Sequence, residues 1–340
     1  MYQIVRESQL NRRLLFDETA KEMGIPGSAV EKDFWVCFFL DLLFHRNQDA
    51  ERFCFKGATS LSKGYHAIQR FSEDIDLILD WRLLGYSIDE PYLRRSNTQQ
   101  VVFNNEINRK TEEYLARSLL PSLKRLTEKY VAEPIDLYID TVDRKTICIP
   151  YPHLFDDSNL VPVIRLEIGA LAAWTPVENK TIEPYVAEHF PNKFLQTGTD
   201  IRTVQAKRTF WEKAVILHKE AHRVNGKIPV RYARHYYDVY MLSQTSTKDD
   251  AFADVELLKT VTSFNQRFYY VAWARYEDAT LEKMSLVPSG AIVAQLAEDY
   301  LSMQDMLFGN KPSFDAIMEG LTRLESEIRL LGATATIVQK

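Results

Sequence analysis

The stretch "EKDFWVCFFLDLLF", residues 31–44, is the tightest constraint on how this chain can fold. Ten of its fourteen residues are apolar, and a helix that is hydrophobic on nearly every side has to be enclosed by other elements. Asp41 breaks the run well short of the roughly 20 residues that a bilayer span needs, so a core helix is expected and no membrane span. A chain of 340 residues with 46% hydrophobic and 26% charged content can build the layers that enclose it. The first residues, "MYQIVRESQLNRRLLF", show no small-residue cleavage site after an apolar stretch, and the expected location is cytoplasmic. Cys37, Cys54 and Cys148 are odd in number and not closely paired, which reads as buried thiols and not as a disulfide framework or cysteine zinc site.

Residues 4–47 read as helical, "RFCFK" as a short strand, "TSLSKGYHAIQ" as a helix capped by Thr59 or Ser60, and "EDIDLILD" as a second strand. Helix returns over about 98–130, where Pro121 kinks or divides it. The segments "IDLYID", "TICIPY" and "VIRLEIGAL" read as strands, and after "GTD" at 198–200 the chain turns mostly helical. The expected class is α+β, with a mixed sheet and helices over residues 1–200 and a helical domain over 201–340. Between Arg202 and His235, nine Lys and Arg stand against two acids, a local +7 in a chain of net −5. Such a block is either a solvated helix face or a surface for a phosphate-bearing ligand, with Arg208, Arg223 and Arg231 as candidate contacts.

Alternate side chains of a strand share a face, so Ser72, Asp74 and Asp76 point one way while Ile75, Leu77 and Leu79 point into a core. Two like charges on one strand face repel, and a multivalent cation is the usual reason to keep both ionised. A hard cation, Mg²⁺ or Mn²⁺, suits carboxylate oxygens. Glu167 in "VIRLEIGAL" falls on the polar face of what should be a neighbouring strand, either as a third metal ligand or as the partner of an arginine. Ahead of the acids, Gly57 permits a tight turn, Thr59 and Ser60 bring hydroxyls to a helix start, and Lys56 and Lys63 add charge, as a phosphate cradle requires. Lys213 flanks the apolar stripe formed by Phe210, Ala214, Leu217 and Ala221, and Asp238 either orients it, accepts a proton or pairs with Arg234.

Taken in order, "EKDFWV", "FKGATSLSKGY", "RFSEDIDL", "RLEIGA", "RTFWEK" with "ILH", and "RHYYDVY" resemble the successive motifs of AbiEii/AbiGii-type toxin nucleotidyltransferases in the polymerase-β-like superfamily. The resemblance covers about residues 31–240. It implies a minimal nucleotidyltransferase fold with an added helical domain, and a role as the toxin opposite a cognate antitoxin. It also implies NTP phosphates at Gly57 and Ser60, metal at Asp74 and Asp76, and catalytic roles for Lys213 and Asp238. Ala58 departs from the pattern, standing where many relatives have a second glycine.

The expected reaction is NMP transfer from an NTP to an RNA hydroxyl, with the tRNA 3′ end as the implied acceptor. The alternatives are transfer to a protein hydroxyl and a catalytically inactive binding module. Two other patterns carry less. His218 and His222 lie four apart but lack the glutamate that a zinc-protease motif needs, and Asp136 and Asp140 on one strand would stand about 13 Å apart, too far for one metal.

Overall fold

The computed structural model describes residues 1–72, 74–157, 160–223 and 226–338. The chain forms two compact units, one of residues 1–64 and 71–204, the other of residues 65–70 and 205–340.

The first unit is built on a seven-stranded mixed sheet: β1 Phe53–Lys56, β2 Asp74–Leu79, β3 Tyr138–Ile139, β4 Thr146–Pro150, β5 Val163–Gly169, β6 Val177–Ile182 and β7 Thr199–Val204. Their order across the sheet is β3-β4-β5-β2-β1-β7-β6, with β2 parallel to β5, β1 parallel to β7, and β1 antiparallel to β2. Ile75, Leu77 and Leu79 on β2 and Ile164, Leu166 and Ile168 on β5 are all buried, so the period-two pattern of both strands holds. The Gly27–His45 helix packs on β5 and β7, and every residue from Val30 to Leu43 is buried. Its polar side chains find partners as burial requires: Lys32 Nζ donates to the Val161 carbonyl at 3.0 Å, Asp33 accepts from the Tyr185 amide at 2.7 Å, and Glu31 accepts from the Leu154 amide at 3.0 Å.

Three local expectations need correction. The helix after β1 starts at Gly57, with Lys56 as its N-cap and no side-chain cap, so Thr59 and Ser60 lie inside it and cap nothing. "IDLYID" contributes only the two residues of β3. β6 and β7 are strands that local pattern did not single out; β7 takes its place through Phe55↔Thr203 pairing with β1 and through the Thr199 hydroxyl, which donates to Asp41 at 2.7 Å. At Pro121 the long helix is divided as a prolyl residue dictates, a π-helical turn over Leu115–Leu119 joining Asn97–Tyr114 to Leu120–Tyr130.

The second unit is helical. Ala206–Ala221 and Ala233–Ser243 pack on each other; Ser246–Ala253 and Val255–Phe268 lie against the first, Gly290–Ser302 and Phe314–Val338 against the second. The segment 65–70, which interrupts the first unit in sequence, belongs to this fold. The Gln69 amide donates to the Tyr237 hydroxyl at 3.1 Å, and Arg70 pairs with Leu307 in a β-bridge. The three cysteines are free and buried. Among the described residues, no helix is long and apolar enough to cross a membrane.

Candidate active site

In the first unit, sheet register gathers the acids. β2 and β5 run parallel with Asp74 opposite Arg165 and Asp76 opposite Glu167, so three carboxylates and one guanidinium share one face of two central strands. The Arg165 guanidinium reaches Asp140 at 2.7 Å and lies 3.6 Å from Asp74 and 3.8 Å from Glu167. Arg165 thus meets part of the negative charge, and holds the Asp140 carboxyl well below its usual range. Burial, followed by repulsion from Asp74 and Asp76, pushes Glu167 up to about 7. Both readings of Glu167 are therefore visible, an arginine partner and a member of the acidic face.

The turn above this face is built around Gly57. Its φ is +76°, and a Cβ placed there would come within 1.8 Å of an Asp76 carboxylate oxygen. Only glycine fits both the backbone conformation and the approach. The Thr59 hydroxyl donates to the Asp74 carbonyl, fastening the Gly57–Lys63 helix to the strand that carries the acids. Ser60 is fully buried and donates to the Gly57 carbonyl at 2.8 Å, so its hydroxyl braces the turn. Lys63 is not directed to the turn either. It is buried against Asp33 at 2.9 Å and the Tyr185 ring at 3.8 Å, an internal ion pair where a phosphate contact was expected. What remains for an anion is the first turn of the helix, whose amides have no side-chain cap.

The second unit holds a separate buried cluster. Asp238, with no exposed surface, accepts from Arg70 at 2.7 and 2.9 Å and from Lys213 Nζ at 2.7 Å. Burial alone would raise its carboxyl, but the two cations outweigh that and hold it well below the usual range. Arg70, and not Arg234, is the arginine partner. It opens the motif "RFSEDIDL", so its position was on view in the sequence although its role was not. His235 lies beside this cluster and is kept neutral, its ring pushed well down first by burial and then by Lys213.

The basic block divides. Arg208 is 1% exposed and bonds Glu212 at 2.9 Å, so it is not presented at a surface. Arg223 pairs with the buried Glu220 and lies over the Trp273 ring, while Arg231 is exposed, in a left-handed backbone conformation with its amide on Asp299. His218 uses both ring nitrogens, one on the Arg275 carbonyl at 3.0 Å and one accepting from the Ser285 amide at 3.1 Å, which leaves neither for zinc. Asp136 meets Lys124 and lies outside the strands. Among the described residues, no group of three or more His, Cys, Asp or Glu is closed around a metal position. The donor set on β2 and β5 is nonetheless oxygen only, which suits a hard cation.

A mixed sheet that presents acids beside a glycine turn, joined to a helical unit, is the setting in which the family comparison falls. The family model described as "Nucleotidyl transferase AbiEii toxin, Type IV TA system" matches residues 41–320, and the protein belongs to that family. It is a nucleotidyltransferase of toxin–antitoxin type. No curated protein matches the chain. Among solved structures, the chain is similar to JHP933 from Helicobacter pylori (14% identity, 93% of this chain and 100% of that one, TM-score 0.44). It is also similar to MenT4, a nucleotidyltransferase toxin from Mycobacterium tuberculosis H37Rv (13% identity, 94% and 98%, TM-score 0.41).

Proposed function

We propose that the protein transfers an NMP from an NTP to an RNA hydroxyl, with the 3′ end of tRNA as acceptor, and that it does so as a cytoplasmic toxin restrained by a cognate antitoxin. The observation that carries this reading is the β2–β5 register, which sets Asp76 opposite Glu167 and directly beneath Gly57. Asp74, Asp76 and Glu167 are the residues to hold Mg²⁺ or Mn²⁺, and a divalent ion there supplies positive charge to the triphosphate and the leaving pyrophosphate. The uncapped amides at Gly57 and Ala58 bind phosphate oxygens, with Thr59 and Ser60 holding the turn in shape. The acceptor oxygen forms a bond to the α-phosphorus as the bond to pyrophosphate breaks and the hydroxyl proton is released. Lys213 and Asp238, paired at 2.7 Å within the second unit, are assigned catalytic roles on their family motifs, the cation suited to phosphate charge and the acid fixing its ammonium.

The test is incubation with Mg²⁺, each labelled NTP in turn, and total cellular RNA and protein, with a chelator control. Label in small RNA that depends on Mg²⁺ and is released by removing the 3′-terminal nucleotide is the expected result. Label in protein would move the acceptor to a Ser, Thr or Tyr hydroxyl, and no label in either would leave the inactive-module reading.

A further inference from the structure

The second unit carries a pocket of about 430 Å³ that the nucleotidyl-transfer chemistry does not use, lined among others by Lys219, Asn265, Tyr269, Tyr270, Trp273 and Tyr276. Its volume lies within the range of about 300–1,000 Å³ typical of small-ligand sites. Tyr269 and Tyr270 are 52% and 59% exposed, so two adjacent phenol rings meet solvent at one side of the pocket. At its edge the Trp273 ring has two cations over it, Arg223 at 4.8 Å and Lys219 at 5.8 Å, both tied to the buried Glu220. Two positive charges against one negative leave the rim net positive. Beside the ring, Arg275 is held at φ +48°, a strained conformation for a residue with a side chain, while its carbonyl bonds His218.

Exposed aromatic faces next to anchored cations are what unpaired nucleotides recognise: bases stack on the rings and the backbone phosphates meet the charges. We propose that this pocket is a stacking subsite for unpaired nucleotides of the acceptor RNA, with Tyr269 and Tyr270 as base platforms and Lys219 and Arg223 as phosphate contacts. The proposal rests on the RNA-acceptor reading above and adds to it a demand for single-stranded RNA. A duplex buries its base faces in its own stack and cannot use the platform.

The tryptophans make the test direct. Trp35, Trp81, Trp174 and Trp211 are buried, so Trp273 is the tryptophan of the five whose fluorescence a surface ligand can quench. The full chain is titrated with an unpaired ten-nucleotide RNA, with the same strand in a duplex, and with free NTP. Binding of an end-labelled oligonucleotide is followed in parallel by anisotropy. The unpaired strand is expected to quench Trp273, and Tyr269→Ala and Tyr270→Ala to weaken its binding about tenfold or more at unchanged melting temperature. Lys219→Gln should lower the salt slope of binding by about 0.7. Equal binding of the duplex, equal quenching by free NTP, quenching by the antitoxin protein but not by RNA, or full affinity in both aromatic variants would each overturn the proposal. Because the readout is binding, it is separable from catalysis. Transfer to RNA with unchanged KM in Tyr270→Ala removes the subsite and spares the acceptor reading, whereas label found only in protein removes the acceptor reading itself.

Discussion

Gly57 and Gly24 offer a controlled comparison at single-residue resolution. Both have positive φ, +76° and +66°, but a Cβ at Gly24 meets nothing within 4 Å while one at Gly57 strikes the Asp76 carboxylate. Alanine at either position is expected to cost about 1–2 kcal/mol of backbone strain. Only Gly57→Ala should also lose transfer, because it displaces an acid that the reaction needs. Melting temperature and turnover measured side by side check this, and a Gly57→Ala enzyme with parental turnover would refute the close approach. Asp76→Asn belongs to the same scale. It keeps the shape and removes one of three like charges, so transfer is expected to fall at least a hundredfold while thermal stability is kept or gained. Equal turnover under Mg²⁺ would take Asp76 out of the metal site.

Among elements, the strands that carry the acids were the most legible, because alternation over "EDIDLILD" and "VIRLEIGAL" states which side chains are inside and which are not. β7 was not, since Thr199–Val204 has few apolar side chains and becomes a strand by pairing along its whole length with β6 and at Phe55↔Thr203 with distant β1. The same limit hid the true partner of Lys63, whose folded neighbour Asp33 absorbs its charge, whereas Arg208 is met by Glu212 one helical turn on, a pairing that local spacing already offers. The helices of the second unit meet segment 65–70 at the Arg70–Asp238–Lys213 cluster, and the energetics there are asymmetric. Removing either cation leaves Asp238 with one partner, but Asp238→Asn leaves two buried cations facing each other. The expected loss of stability is therefore larger for Asp238→Asn, on the order of 3–5 kcal/mol, than for Lys213→Met. Denaturant unfolding measures the difference, and equal losses would mean that the cluster is not carried by its acid.

For the molecule as a whole, one buried acid should be visible in how stability follows pH. Burial pushes Glu31 up to about 7 from an ordinary value near 4.5. The folded state therefore binds its proton more tightly than the unfolded chain does. The resulting stabilisation is present below about pH 4.5 and is lost as the pH rises towards 7, amounting to on the order of 3 kcal/mol. Glu31→Gln does not titrate, so its melting temperature should gain on the parent steadily across that window and hold a constant difference above it. A difference independent of pH would show that Glu31 is not the titrating group. The hexapeptide 65–70 has a consequence of another kind. Six residues encoded between the glycine turn and the acidic strand fold with residues 205–340, so the two units are interleaved along the gene. A recombination event with a single crossover near codon 204 would deliver the helical half without the segment it folds around, and would leave the other half with an arginine made for a partner it no longer has. Exchange between relatives therefore has to move both pieces at once, which favours inheritance of this protein as one indivisible cassette.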